Sequence, residues 1–443
     1  MTSRWHNITQ QLIFRKVPIF PLITFRILFG ILLLISTIRF WAKGWIYSQY
    51  VEPKIFFPFI EGIQPLAGIG MYVVFGLMIL ASILIILGLY YRISIFSFFL
   101  LFTYVELLDK TNYLNHYYFV SLCTFLMIWL PAHRYFSLDV WRKSVTPLKE
   151  IEVAFINIIK LQLGIVYFFA GIAKINYDWL INAQPLKMWL SANVHQPAIG
   201  WIFRYKITAY IFSWFGMLFD TTIPFFLSFR KTLPIAYAAV IGFHLMTALL
   251  FPIGVFPWMM IVATTIFFPD HIHQKFIKTL SSVFPGSSET KPGVYGGLQK
   301  AGVYAFVFFF MLQIAIPFRY LAYPGNLFWN ELGYRFSWRV MLMEKAGHIT
   351  FFVEDGDKKH MVANYDYLTP QQEKMMATQP DMIMQFARFL EEEFKQKGFE
   401  NPKITTQSRV TLNGRSGKTF IDPTIDLTKV EKNQLSSIVL PHE

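Results

Sequence analysis

Up to about residue 318 the chain alternates long apolar blocks with short polar gaps, and beyond that point the blocks stop. A helix that crosses a bilayer needs about 20 consecutive apolar residues. By that measure nine spans are predicted, at 20–42, 68–90, 92–108, 114–131, 153–174, 207–228, 233–251, 253–269 and 301–318. The third, fourth and eighth are short, as tilted or re-entrant helices are. The first is too long for a cleavable signal peptide and carries Arg26 and Arg39. From Arg319 the pattern is different. His348–Glu354 alternates as a strand and runs into the turn pair Asp355-Gly356. Pro370–Lys397 reads as an amphipathic helix, with Met382, Phe386, Phe389, Leu390 and Phe394 on one side. Lys403–Leu412 and Lys418–Leu427 flank Asn413-Gly414, a hairpin signal. The expected fold is a polytopic α-helical membrane protein of about nine transmembrane helices with a C-terminal extramembrane domain, α+β or mainly β. The expected divisions are a cytoplasmic segment 1–19, a membrane domain 20–318 and an extracytoplasmic domain 319–443, with a Pro/Gly/Ser-rich cytoplasmic linker at 285–297.

Composition agrees. Hydrophobic residues make up 54% and charged residues 15%, against about 25% charged in soluble chains, so a wholly soluble enzyme is excluded. The net charge of +13 raises the question of nucleic acid. Residues 1–318 hold 24 Lys/Arg against 11 Asp/Glu, whereas the remainder holds 16 of each. The excess is therefore in the apolar part, where basic residues set membrane orientation, and no nucleic-acid partner is expected. With the N-terminus cytoplasmic, the inside loops carry 14 basic residues and the outside loops 7, which places the C-terminal domain outside. The single cysteine, Cys123, rules out an intrachain disulfide.

Ionisable residues at membrane depth require a partner, a cavity or a function. Leu107–Phe119 gathers Asp109, Lys110, Asn112, Asn115 and His116 between two apolar blocks. This can be a plain outer loop, or Asn115 and His116 can face an oxygen-bearing ligand. Lys174 follows an uncharged stretch from Leu161 to Ala173, with Tyr167 two helical turns earlier. An amine in apolar surroundings can serve as a general base. The plain alternatives are snorkelling to the interface or pairing with Asp178 one turn on. Asp220 reads as helix glue and His244 as a hydrogen-bonded structural histidine. No Walker loop, G-x-S-x-G, H-E-x-x-H or metal-spaced Cys/His set occurs, and His271/His273 form only a weak metal hint.

Four segments taken together, LDKTNYLNHYYF (108–119), VYFFAGIAKINYDW (166–179), FHLMTALLFPIGVFPWMM (243–260) and GYRFSWRVMLM (333–343), resemble the membrane core of the vitamin K-dependent γ-glutamyl carboxylase family. FIDPTIDL (420–427) resembles its extramembrane domain. The wider group is that of the carboxylase-like horizontally transferred transmembrane domain. The resemblance implies a lyase-type carboxylase that modifies proteins after translation. Reduced vitamin K, as phylloquinol or menaquinol, is oxidised by O₂ to its epoxide, and the strong base formed lets CO₂ add to a glutamate to give γ-carboxyglutamate, without a metal. It implies Lys174 and His116 as catalytic residues, and Asn115, Tyr167, Trp338 and Met341 around the quinone and the glutamate. The implied partners are a glutamate-containing protein or peptide, membrane lipids and a quinone reductase that recycles the product. Ala173, Met343 and Arg339 depart from the animal enzymes, which carry lysine, histidine and an acidic residue there, and point to a bacterial relative. Two alternatives remain open: a quinol epoxidase on the same scaffold, and a non-enzymatic transporter or anchor.

Overall fold

The computed structural model describes residues 10–283 and 297–442. The linker expected at 285–297 lies outside the described residues except for Gly297, as do residues 1–9 of the N-terminal segment.

All nine apolar blocks are helical. Seven are long and apolar enough to cross a membrane: α1 (Phe20–Ala42), α2 (Gly70–Leu87), α3 (Tyr91–Leu108), α5 (Ala154–Ala173), α6 (Lys206–Ser228), α7 (Leu233–Leu250) and α9 (Lys300–Ala315, extended as a 3₁₀ turn to Ala322). The third, expected to be short, is therefore full length. The other two are shorter. Helix α4 (Asn115–Trp129) has 15 residues, about 22 Å at 1.5 Å per residue, against a hydrocarbon core of about 30 Å. It stops before Pro131, whose ring disfavours helix at Leu130. Helix α8 (Phe256–Ala263) is cut off from α7 by Pro252 and by Gly254 at φ +64°, and continues only as a 3₁₀ turn to Phe267. Among the described residues the count of nine thus becomes seven full spans and two short helices.

The helix ends sort to two sides. On one side Lys16–Pro18 (β1) pairs antiparallel with Glu150–Glu152 (β2). There Arg26 donates to the carbonyls of Ala132 (2.9 Å) and Phe136 (2.6 Å), which satisfies a guanidinium buried in an apolar bundle. On the opposite side, the loops after α1, α3 and α5 meet the C-terminal domain. This is the side on which the sequence placed fewer basic residues.

The C-terminal domain is α+β. Its antiparallel sheet has the order β4-β3-β5-β6, from Lys345–Asp355 (β3), Lys358–Met361 (β4), Lys403–Leu412 (β5) and the two-residue Lys418–Thr419 (β6). Ile349, Phe351 and Val353 of β3 face inward with Ile404, Val410 and Leu412 of β5, as the two-residue period of a strand demands. The single helix expected over Pro370–Lys397 is two, Pro370–Met376 and α10 (Pro380–Gln396). Gln379 precedes Pro380 and is held extended (φ −124°, ψ 109°), so the helix restarts there. Met382, Phe386, Leu390 and Phe394 of α10 are buried against the sheet.

Polar and apolar contacts both join the domains. Ile55 and Phe57, from the loop after α1, sit in the core of the C-terminal domain. Gln372 donates to the Ile55 carbonyl (2.7 Å) and to Asp109 (3.1 Å). Asp381 accepts from Lys110 (2.9 Å) and Arg335 (2.8 Å). Burial would raise the Asp381 pKa, but Arg335 and Lys110 outweigh it and hold the carboxyl at about 2. The group stays ionised above that, and the pairing contributes stability that is lost only as pH falls from the ordinary carboxylate range through about 2. Asp381→Asn leaves two cations facing each other at the junction. It should destabilise the protein by about 3 kcal/mol at neutral pH, read as a lowered midpoint in thermal unfolding in detergent, with the difference from wild type shrinking below about pH 4.

Candidate active site

Lys174 caps the C-terminus of α5, where a cation meets the exposed carbonyls and the negative end of the helix dipole. Its Nζ donates to the Ala170 carbonyl (3.0 Å) and to Oδ2 of Asp220 in the middle of α6 (2.6 Å). Both residues are buried, 6% and 5% exposed. The partner is therefore Asp220 and not Asp178. Asp178 faces the C-terminal domain, where it accepts from Arg415 through both carboxylate oxygens and from Asn413 (2.8 Å). The hydrogen bond from Arg415 is the main cause that brings the Asp178 carboxyl down to about 2.

The Lys174–Asp220 contact depends on a close approach of two helices. A Cβ on Gly171 of α5 would lie 2.8 Å from Cα of Thr221 on α6, so only glycine lets the backbones meet there. Pro224 lies one turn after Asp220 and lacks the N–H that would bond its carbonyl. Trp179 locks the segment after Lys174: its Nε1 donates to the Ser213 carbonyl (2.9 Å), and the Ser213 hydroxyl donates back to the Trp179 carbonyl.

The pair borders a cavity of about 380 Å³ with a mainly apolar lining from α4 to α8 and from the loop 338–341. That volume falls in the range of ligand pockets. Asn115, Tyr167, Lys174, Trp338 and Met341 all line it. Tyr167 shares a hydrogen bond of 2.8 Å with His244 Nε2. His244 Nδ1 and Trp338 Nε1 are buried without a partner, and such groups at a cavity wall suit an oxygen-bearing ligand. His116 is placed elsewhere. It borders a separate void of about 10 Å³ with Thr37, Phe98 and Met259. Phe256 contacts the rings of both His116 (5.4 Å) and His244 (5.9 Å).

The loop 333–343 closes the cavity in a constrained conformation. Phe336, Trp338 and Met341 have φ of 60°, 59° and 51°, a region that costs bulky residues on the order of 1–3 kcal/mol each. Neighbours hold it in place: Asn115 donates to the Arg339 carbonyl (2.7 Å), the Phe336 N–H donates to the Tyr113 hydroxyl (2.7 Å), and Trp338 stacks on Tyr118 at 4.9 Å. Asp220 and His244, set aside in the sequence as structural, are thus part of the cavity wall. The available signal was their mid-span position. Among the described residues no cluster of three His, Cys, Asp or Glu is placed to hold a metal; His273 is buried and His271 exposed.

Comparison with known families adds two matches. The HTTM domain matches residues 14–271, and the vitamin K-dependent gamma-carboxylase lumenal domain matches residues 298–442. No solved structure matches the chain.

Gly171→Ala should force α5 and α6 apart and lengthen the Lys174–Asp220 contact. The expected loss is about 1–3 kcal/mol of stability, measured by thermal unfolding, with no comparable loss for Gly242→Ala, where an added Cβ meets nothing within 4 Å.

Proposed function

Since the chain belongs to the vitamin K-dependent γ-carboxylase family, as a multi-pass membrane protein, we propose that it oxygenates a reduced naphthoquinone and uses the base so formed to convert peptidyl glutamate to γ-carboxyglutamate with CO₂. The observation that carries this reading is Lys174 with Asp220 at the wall of an otherwise apolar cavity. An apolar cavity with a few fixed polar groups suits a lipid quinol. Tyr167, His244 and the indole N–H of Trp338 are the groups that would hold the quinol oxygens. The bound quinol supplies, on reaction with O₂, the strong base that removes the glutamate γ-proton.

The role proposed for Lys174 is to take the hydroquinone proton. An amine can do so only without its third proton. The Asp220 carboxylate 2.6 Å away is the acceptor for that proton, so the two side chains act as one proton-holding unit. The buried setting and the helix contact at Gly171 keep them aligned. Asn115 positions the loop carrying Trp338 and Met341. The C-terminal domain lies at the end with fewer basic residues, which supports an extracytoplasmic location.

A second reading, quinol oxygenation without carboxylation, is favoured by one observation: His116, which the family resemblance implies as catalytic, is not part of the cavity. A coupled assay in nanodiscs separates the two. It supplies a naphthoquinol, O₂, bicarbonate and a Glu-containing peptide, and mass spectrometry follows the peptide and the quinone. Carboxylated peptide and quinone epoxide are both expected with wild type, and neither with Lys174→Ala. Epoxide without peptide modification favours the second reading, and activity surviving in Lys174→Ala removes the proposed base. Asp220→Asn should lower turnover by about 10²-fold or more and change the pH–rate profile, because the amide cannot take the ammonium proton.

A further inference from the structure

The hairpin tip between β5 and β6 is joined to both of the segments that carry Lys174 and Trp338 to the apolar cavity. Asn413 and Gly414 have φ of 52° and 75°, the left-handed pair that Asn-Gly adopts readily in a tight hairpin. On one side the tip grips the segment after α5. Arg415 donates to both carboxylate oxygens of Asp178, and Nδ2 of Asn413 donates to one of them (2.8 Å). On the other side it grips the chain between the loop 338–341 and β3. The Asn413 N–H donates to the Glu344 carbonyl (2.8 Å), and the Glu344 N–H donates back to Oδ1 of Asn413 (2.9 Å). One buried asparagine side chain, 5% exposed, therefore bonds both segments at once.

Both segments are tied down between the tip and the cavity. Lys174 and Asp178 belong to one hydrogen-bonded turn: the Asn176 side chain donates to the Ala173 carbonyl (3.1 Å) and accepts from the Trp179 N–H (2.9 Å). In the second segment Leu342 packs in one buried cluster with Ala173, Trp179 and Leu186. A third segment meets the tip as well. A Cβ on Gly414 would lie 2.8 Å from Sδ of Met188. The next residue, Trp189, lines the cavity and donates from Nε1 to the Glu344 carboxylate (2.7 Å). The Arg415 side chain is 40% exposed, and ion pairs with that much solvent contribute little to global stability. What the two-pronged pairing fixes is orientation.

The geometry points to Arg415 and Asn413 as positioning residues, which set Lys174 on one wall of the cavity against Trp338 and Met341 on the other. Neither is among the residues that line the cavity; they act through Asp178 and Glu344. The consequence for turnover rests on the reading of Lys174 and Asp220 as the proton-holding unit, whereas the positioning itself does not. Geometry of this kind matters because a misplacement of about 1 Å can cost about 10²-fold in rate. The C-terminal domain thereby governs proton transfer in the membrane domain without adding a group to it.

The test uses the full chain in nanodiscs and two readouts. The first needs no turnover: acetic anhydride acetylates Lys174, and mass spectrometry follows the rate against an exposed lysine of the same sample. Asp220→Asn removes the Lys174 contact outright and sets the scale. Arg415→Gln should raise the acetylation rate several-fold toward that of Asp220→Asn. The second readout is oxygenation of a naphthoquinol. Arg415→Gln should lower kcat about tenfold or more with little change in KM, while the thermal midpoint stays close to that of wild type. Arg415→Lys should recover part of kcat, and the exchange Asp178→Arg with Arg415→Asp should recover more. Unchanged acetylation, or faster acetylation with undiminished kcat, overturns the proposal. A loss of kcat that tracks a lowered thermal midpoint and that neither Arg415→Lys nor the exchange restores reduces the hairpin tip to a structural contact and overturns it too. If Arg415→Gln fails to fold, Arg415→Lys decides, since it keeps the charge and loses the fork: faster acetylation supports the positioning and an unchanged rate overturns it. A wild type that oxygenates no quinol removes the function proposed above and leaves the acetylation rates to decide the positioning.

Discussion

An amine and a carboxylate inside an apolar helical bundle must meet each other or not be there. The Lys174–Asp220 pair is that constraint, and much of the membrane domain is arranged to meet it. The two side chains come from helices joined through the glycine contact at Gly171. The pair is kept beside the cavity by the reciprocal hydrogen bonds of Trp179 and Ser213. One turn later, Asp178 carries the position of this segment out to Arg415 and Asn413 of the C-terminal domain. A displacement of either helix would separate two groups that have no solvent to fall back on.

The C-terminal domain belongs to the site and is not a passive appendage. Its approach segment supplies Trp338 and Met341 in backbone conformations that such bulky residues seldom adopt. Strain of this kind persists only where the surroundings over-determine it. Here they do so through Tyr113, Asn115 and Tyr118, all from the polar gap and first turn of α4. Helix α4, whose far end is set by Pro131, thus uses its N-terminal turn to hold that loop.

Much of this was legible in the sequence because apolar blocks and misplaced polar residues leave a one-dimensional trace. The helices, the strand core His348–Glu354 and the candidates Asn115, Tyr167 and Lys174 all left one, whereas Trp338 and Met341 enter only through the family resemblance. What left none was pairing across the bundle. Lys174 has an acidic residue four positions on, at the spacing of a helical ion pair, yet α5 ends at Ala173 and turns Asp178 away. The actual partner lies 46 positions later, on another helix. Periodicity placed Asp220 at mid-span but could not say which helix it faced. The position of His116 was hidden for a related reason. Adjacent residues on a helix point about 100° apart, so Asn115 at the cavity and His116 behind it are the expected geometry of neighbours.

A lipid quinol and a polar peptide need different surroundings, one dry and one wet. On the proposed carboxylase reading, the reaction between them takes place at a boundary. Two segments have residues that face both ways: Lys174 and Met341 line the apolar cavity, while Asp178 and Arg339 line a second cavity with a more polar lining. The position of Lys174 at the end of α5 follows from this. Deeper in the helix it would lie away from residues 175–178, which line the second cavity, and further along it would lose the apolar setting and the carboxylate partner that the proposed proton transfer requires. The end of a span, braced by a second domain, is the place in this fold where both conditions hold.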